Sequence, residues 1–194
     1  MTEEKLYIIR KKGGVKMDKI IDILDRKIKC NIIICGPAIG KTYLSEHNSR
    51  FVDIDGMKAD YKYNLYNLSK EEKEKGKLNR GQIINYDSTK YAIELLKKTI
   101  SEDRIALLSY NEKIIEFILE NKYEYCLVFA DINLQNEYAQ RMKKRGNNSQ
   151  FIEQMTNKKS WDEFYVKNIN DNNPTYKIKL KSGQYLSDIK DLFV

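Results

Sequence analysis

The run Cys35-Gly36-Pro37-Ala38-Ile39-Gly40-Lys41-Thr42 assembles the residue types that hold a chain of phosphates. That task needs backbone amides turned inward, an ammonium reaching the terminal phosphates, and a hydroxyl for magnesium. Gly40 permits close approach of backbone to phosphate. Lys41 is suited to span the β- and γ-phosphates, and Thr42 to ligate Mg2+. Gly36, Ile39 and Tyr43 complete the expected nucleotide-contacting set. The usual spacing is G-x-x-x-x-G-K-[ST]. Here Cys35 stands at the first glycine position and Gly36 follows one residue later, so the match is complete only at Gly40-Lys41-Thr42. ATP and Mg2+ are the expected cofactors.

Phosphoryl transfer also needs carboxylates and cations. Phe51-Val52-Asp53-Ile54-Asp55 puts two aspartates at the carboxyl end of a second apolar run. In an open parallel sheet that edge faces the ligand crevice. Asp53 is assigned to magnesium with Thr42, and Asp55 to the acceptor, where it can take the proton of an attacking hydroxyl. The third apolar run ends Leu108-Ser109-Tyr110 with no acid, which leaves these duties to the aspartate pair; Asp131 is a weaker candidate. Arg141 and Arg145 stand four apart in a basic segment with Lys143 and Lys144, so they share one helix face. A mobile helix carrying them could close over phosphates. Arg80 is a candidate for an acceptor phosphate. Trp161, Phe164 and Tyr165 read as core.

The elements that must position these residues follow from hydrophobic pattern. Short continuous apolar runs predict strands at 31–35, 51–54, 105–109, 125–130 and 176–180. Amphipathic segments predict helices at 18–26, 41–47, 91–101, 112–121, 134–145, 151–168 and 186–193. Alternation of this kind argues an α/β fold with a parallel sheet covered on both faces. Residues 18–194 read as one domain. Within it, 56–90 form a polar, Tyr-rich, solvated insertion over the site, and 133–150 a lid. Residues 1–17 read as an extension. Either Met17 is the biological start, because Lys11-Lys12-Gly13-Gly14 is what a ribosome-binding sequence encodes, or residues 5–10 form a real strand.

The bulk figures bound the class. A chain of 194 residues can bury a substantial core. No apolar run nears the roughly 20 residues that span a bilayer, and no signal-peptide pattern opens the chain. Three cysteines, an odd number with no CxxC, predict reduced thiols in a cytoplasmic protein. The net charge of +7 suits a phosphate-bearing partner, although a Lys-, Asn- and Ile-rich composition produces the same excess without one. Nothing in the pattern fixes an oligomeric state.

Taken with the loop, Asp53-x-Asp55, the segment Glu137-Tyr138-x-x-Arg141-x-x-x-Arg145-Gly146-Asn147 and the turn Ser182-Gly183-Gln184-Tyr185-Leu186-Ser187-Asp188 resemble small P-loop nucleotide-kinase-like proteins of bacteriophages. More broadly the chain resembles the nucleoside monophosphate kinase and shikimate kinase group of P-loop NTPases. The resemblance implies a three-layer fold with a five-stranded parallel sheet of order 2-3-1-4-5. It implies an acceptor-binding insertion after the second strand and a lid after the fourth. By match, Lys41 and Thr42 take donor phosphates and magnesium, and Arg141 and Arg145 take the lid role. The chain departs from the group's pattern at Cys35, at Ala38, where glycine is common, and at the non-acidic end of the third strand. The implied activity is transfer of the γ-phosphoryl of ATP to a (deoxy)nucleoside monophosphate, in the cytoplasm of a phage-infected or prophage-carrying bacterium. Alternatives are a polynucleotide 5'-kinase, with nucleic acid as partner, and a non-catalytic nucleotide binder that blocks a host protein.

Overall fold

The apolar runs become the strands of one sheet. The structure, a computed structural model, describes residues 7–10, 27–54 and 88–194. Six strands lie among them: β1 (Tyr7–Arg10), β2 (Ile32–Cys35), β3 (Phe51–Asp53), β4 (Ile105–Leu108), β5 (Cys126–Ala130) and β6 (Tyr176–Leu180). They run β1-β6-β5-β2-β4-β3 across the sheet. All pairings among β2 to β6 are parallel. Numbered among themselves, these five strands have the order 2-3-1-4-5 of the P-loop NTPase fold. β1 adds an antiparallel edge strand, pairing Tyr7 with Lys179 and Arg10 with Tyr176.

Strand periodicity separates two cores. On β2, Ile33 and Cys35 face one side, where they pack with Leu44, Tyr138, Trp161, Leu186 and Phe193. Ile32 and Ile34 face the other, with Ala92, Leu96, Ile114 and Ile118. The second core is roofed by α2 (Ser88–Ser101) and α3 (Glu112–Glu120), the first by α1 (Lys41–His47) and α4 (Gln135–Lys144). A 3-10 turn over Leu186–Leu192 closes the first core, where the pattern predicts an α-helix at 186–193. Three layers result, with helices on both faces.

The helix predicted over 151–168 is two helices, α5 (Ser149–Thr156) and α6 (Lys158–Asn170). Asn157 breaks it with extended backbone at φ −63 and ψ 150. Its carboxamide oxygen accepts from the Ser160 amide at 3.0 Å, and its NH2 donates to the Glu153 carbonyl at 2.9 Å. One side chain thus caps the start of α6 and ties down the end of α5. The predicted helix 18–26 and residues 56–87 of the predicted insertion 56–90 lie outside the described residues; residues 88–90, read as part of that insertion, instead form the first turn of α2. Among those described, no helix is long and apolar enough to cross a membrane.

Candidate functional site

The loop 35–42 leaves β2 in the middle of the sheet and enters α1 through two left-handed residues. Ala38 has φ +57, and Gly40, the N-cap of α1, has φ +101. Gly40 carries no side chain to occupy the first-turn amides. A Cβ there would also lie 3.4 Å from the Tyr185 ring. The Ile39 carbonyl accepts from the Leu186 amide at 3.0 Å, so the 3-10 turn Leu186–Leu192 braces the loop.

Lys41 and Asp53 are both buried. The Lys41 ammonium curls back to donate to the Gly36 carbonyl at 3.0 Å. The Thr42 hydroxyl donates to Asp53 Oδ2 at 2.8 Å. Asp53 reaches it because β3 ends beside α1, which packs on that strand. A hydroxyl and a carboxylate oxygen in contact form the kind of donor set that a hard divalent cation takes. Tyr43, the next residue, is exposed and stacks on His47 with ring centres 4.0 Å apart.

Above the loop lies a pocket of about 230 Å³. It is walled by residues 38–43, by Arg141, Lys144 and Arg145 of the α4 end, and by Tyr185. Among the described residues, four cations line it and no carboxylate does. Arg141 and Arg145, predicted to share a face, thus meet the same pocket. Arg141 does not sit on a freely swinging arm. Its guanidinium pairs with Glu137, donates to the Gln184 carbonyl at 3.0 Å, and lies 3.9 Å from the Tyr185 ring centre and 4.7 Å from that of Tyr138. Glu137 also accepts from the Ser182 hydroxyl at 2.8 Å and the Gly183 amide at 3.1 Å. Partial burial pushes the Glu137 carboxyl upward, but these donors and Arg141 outweigh it and hold it below the usual carboxylate range. No protein-family model matches this chain, and no curated protein matches it in sequence.

Asp131 is engaged elsewhere. It pairs with Lys179 at 2.7 Å and accepts from the Asn133 amide at 3.1 Å, starting the 3-10 turn Ile132–Leu134. Those partners overcome its partial burial and lower its pKa. Asp55 and Arg80 lie outside the described residues, so the structure does not place them. Cys30, Cys35 and Cys126 are buried free thiols. Burial pushes Cys30 up to about 11 and Cys126 well above its ordinary value, which keeps both protonated and unreactive. Trp161 is core, its indole N–H donating to the Ile132 carbonyl at 2.7 Å.

Sequence reasoning missed the parts that arrive from far along the chain. Lys144 read only as one of several surface cations. Glu137, Gln184 and Tyr185 stood in the resemblance without roles. A Tyr two residues after a Gly-containing turn carries no local signal that it will stack on an arginine of another helix.

Proposed function

We propose that the chain is an ATP-dependent phosphotransferase acting on a small phosphorylated acceptor, a (deoxy)nucleoside monophosphate first among them. The observation that carries this reading is the Thr42–Asp53 contact at the foot of a pocket lined by Lys41, Arg141, Lys144 and Arg145. The oxygens of Thr42 and Asp53 suit Mg2+, which would supply charge neutralisation between the donor phosphates.

The protein's own groups do the rest. Amides of residues 38–42 face the phosphate chain. Lys41 leaves its contact with the Gly36 carbonyl to reach the donor's terminal oxygens. Arg141, fixed by Glu137 and two tyrosine rings, offers a guanidinium whose orientation is set before the substrate arrives. The γ-phosphoryl passes to an acceptor oxygen as its bond to the ADP oxygen breaks. A phosphate acceptor brings an ionised oxygen; for a hydroxyl acceptor, Asp55 takes the proton. Buried reduced cysteines support a reducing cytosol as the place of action.

A screen of ATP and Mg2+ with all common (deoxy)nucleoside monophosphates, read by thermal shift and by ADP formation, tests the reading. Stabilisation by ATP and transfer to at least one acceptor is the expected result. Absence of both throughout the panel overturns it.

A further inference from the structure

A second cavity, also about 230 Å³, opens on the opposite flank of the same loop. Its walls come from Gly36, Pro37 and Ile39, from α4 through Tyr138 and Met142, and from α5 and α6 through Met155, Trp161 and Phe164. Among the described residues, no charged side chain lines it. The two cavities share Ile39 as a wall, and Tyr138 stands between them, against Arg141 on the side of the cationic pocket. A cavity of about 150 Å³ with apolar walls already accepts a benzene ring. This one has room for a larger flat ring.

Its chemistry is specific. Trp161 and Phe164 are neighbours one turn apart on α6, and Tyr138 meets Trp161 with ring centres 5.4 Å apart. Met142 and Met155 also line it, and methionine sulfur packs well against aromatic rings. Gly36 keeps the floor open, because a Cβ there would stand 3.5 Å from the Phe164 ring. Polar atoms are few. Gln154 is exposed and lines the cavity, as does Ser160, whose hydroxyl accepts from the Asn157 carboxamide at 2.9 Å; the Tyr138 hydroxyl is buried out of reach and has no hydrogen-bond partner among the described residues. An aromatic slot with a donor-acceptor amide at its rim fits a flat heterocycle better than an alkyl chain, which would leave that amide unused.

We propose that this cavity binds the uncharged heteroaromatic ring of a nucleobase, whose phosphates reach the cationic pocket across Ile39. The ring site stands on the cavity alone; its link to phosphate transfer rests on the phosphotransferase reading. Either the donor or the acceptor supplies the base.

Trp161 is the only tryptophan of the chain and lines the cavity, so its fluorescence reports occupancy. The test titrates the full chain with adenosine, guanosine, cytidine and thymidine, none of which carries phosphate. A saturable change with at least one nucleoside is expected, insensitive to added salt because no ion pair forms. Met155→Phe, which fills the cavity, should weaken it at least tenfold. Gln154→Ala, at an exposed position that leaves folding intact, should weaken it several-fold. Both variants should keep the wild-type affinity for tripolyphosphate. Added ATP displaces the nucleoside if the base is the donor's and leaves it bound if the base is the acceptor's. No saturable change at millimolar nucleoside, or equal affinity in wild type and Gln154→Ala, overturns the proposal. Nucleoside binding without tripolyphosphate binding would leave the ring site standing and remove the phosphotransferase reading; the converse would do the reverse.

Discussion

The Thr42 hydroxyl donates to a carboxylate oxygen of Asp53 at 2.8 Å, joining the first turn of α1 to the end of β3. If the pair holds Mg2+, Asp53→Asn keeps the shape and weakens the charge that attracts the ion. Transfer should fall roughly 10- to 100-fold and recover in part at raised Mg2+. Unchanged rate and unchanged Mg2+ dependence would remove Asp53 from the site.

Lys41 is buried against the Gly36 carbonyl and has only a short way to travel to a phosphate on the loop. Lys41→Ala should lower transfer by roughly 10²–10³-fold or more, the scale of losing one charge-stabilising donor. A variant with full activity would show that the proposed site is wrong.

Glu137 ties α4 to the turn at Ser182 and Gly183 and also orients Arg141. Its folded-state pKa is lowered, so its contribution to stability is complete above the unfolded value of about 4.3 and disappears as pH falls through the folded one. Glu137→Gln should therefore unfold more easily at neutral pH, by about 1–3 kcal/mol, and match wild type in strong acid. Thermal melts across pH 3–8 check this. A gap that stays constant with pH would contradict the ionised network.

Ala38 and Gly40 both hold positive φ, yet only one is glycine. A left-handed non-glycine residue costs about 1–2 kcal/mol, while glycine costs about 0.5–1 kcal/mol in unfolded-state entropy. Ala38→Gly should be neutral or stabilising by up to about 1 kcal/mol. Gly40→Ala should destabilise by about 1–2 kcal/mol and press on Tyr185. Chemical denaturation of the two variants should move in these opposite senses.

Much of this architecture is written in local pattern. Ile32-Ile33-Ile34 and Cys126-Leu127-Val128-Phe129, short β-branched or apolar runs, read as strands buried on both faces and are, and Gly40-Lys41-Thr42 marks the turn between strand and helix. The break at Asn157 was harder to see, since apolar residues continue on both sides of it. Its one signal is an Asn three residues before Ser160, a helix N-cap spacing that helical periodicity hides. The cationic pocket was half legible. Arg141 and Arg145 share a face by spacing, but what fixes Arg141 is Gln184 and Tyr185, some forty residues on, and sequence separation conceals such contacts.

The hydrogen bond from Leu186 to Ile39 ties the loop to one of the last turns of the chain, and Phe193 pairs with Ile28 nearby. Synthesis runs from the other end. A ribosome-bound chain that has already released Thr42 still lacks the turn that braces its loop and the Tyr185 ring that meets Arg141. The site is therefore complete only once Tyr185 and Leu186 have emerged, and a nascent chain that stops short of them has no finished pocket in which to hold a ligand.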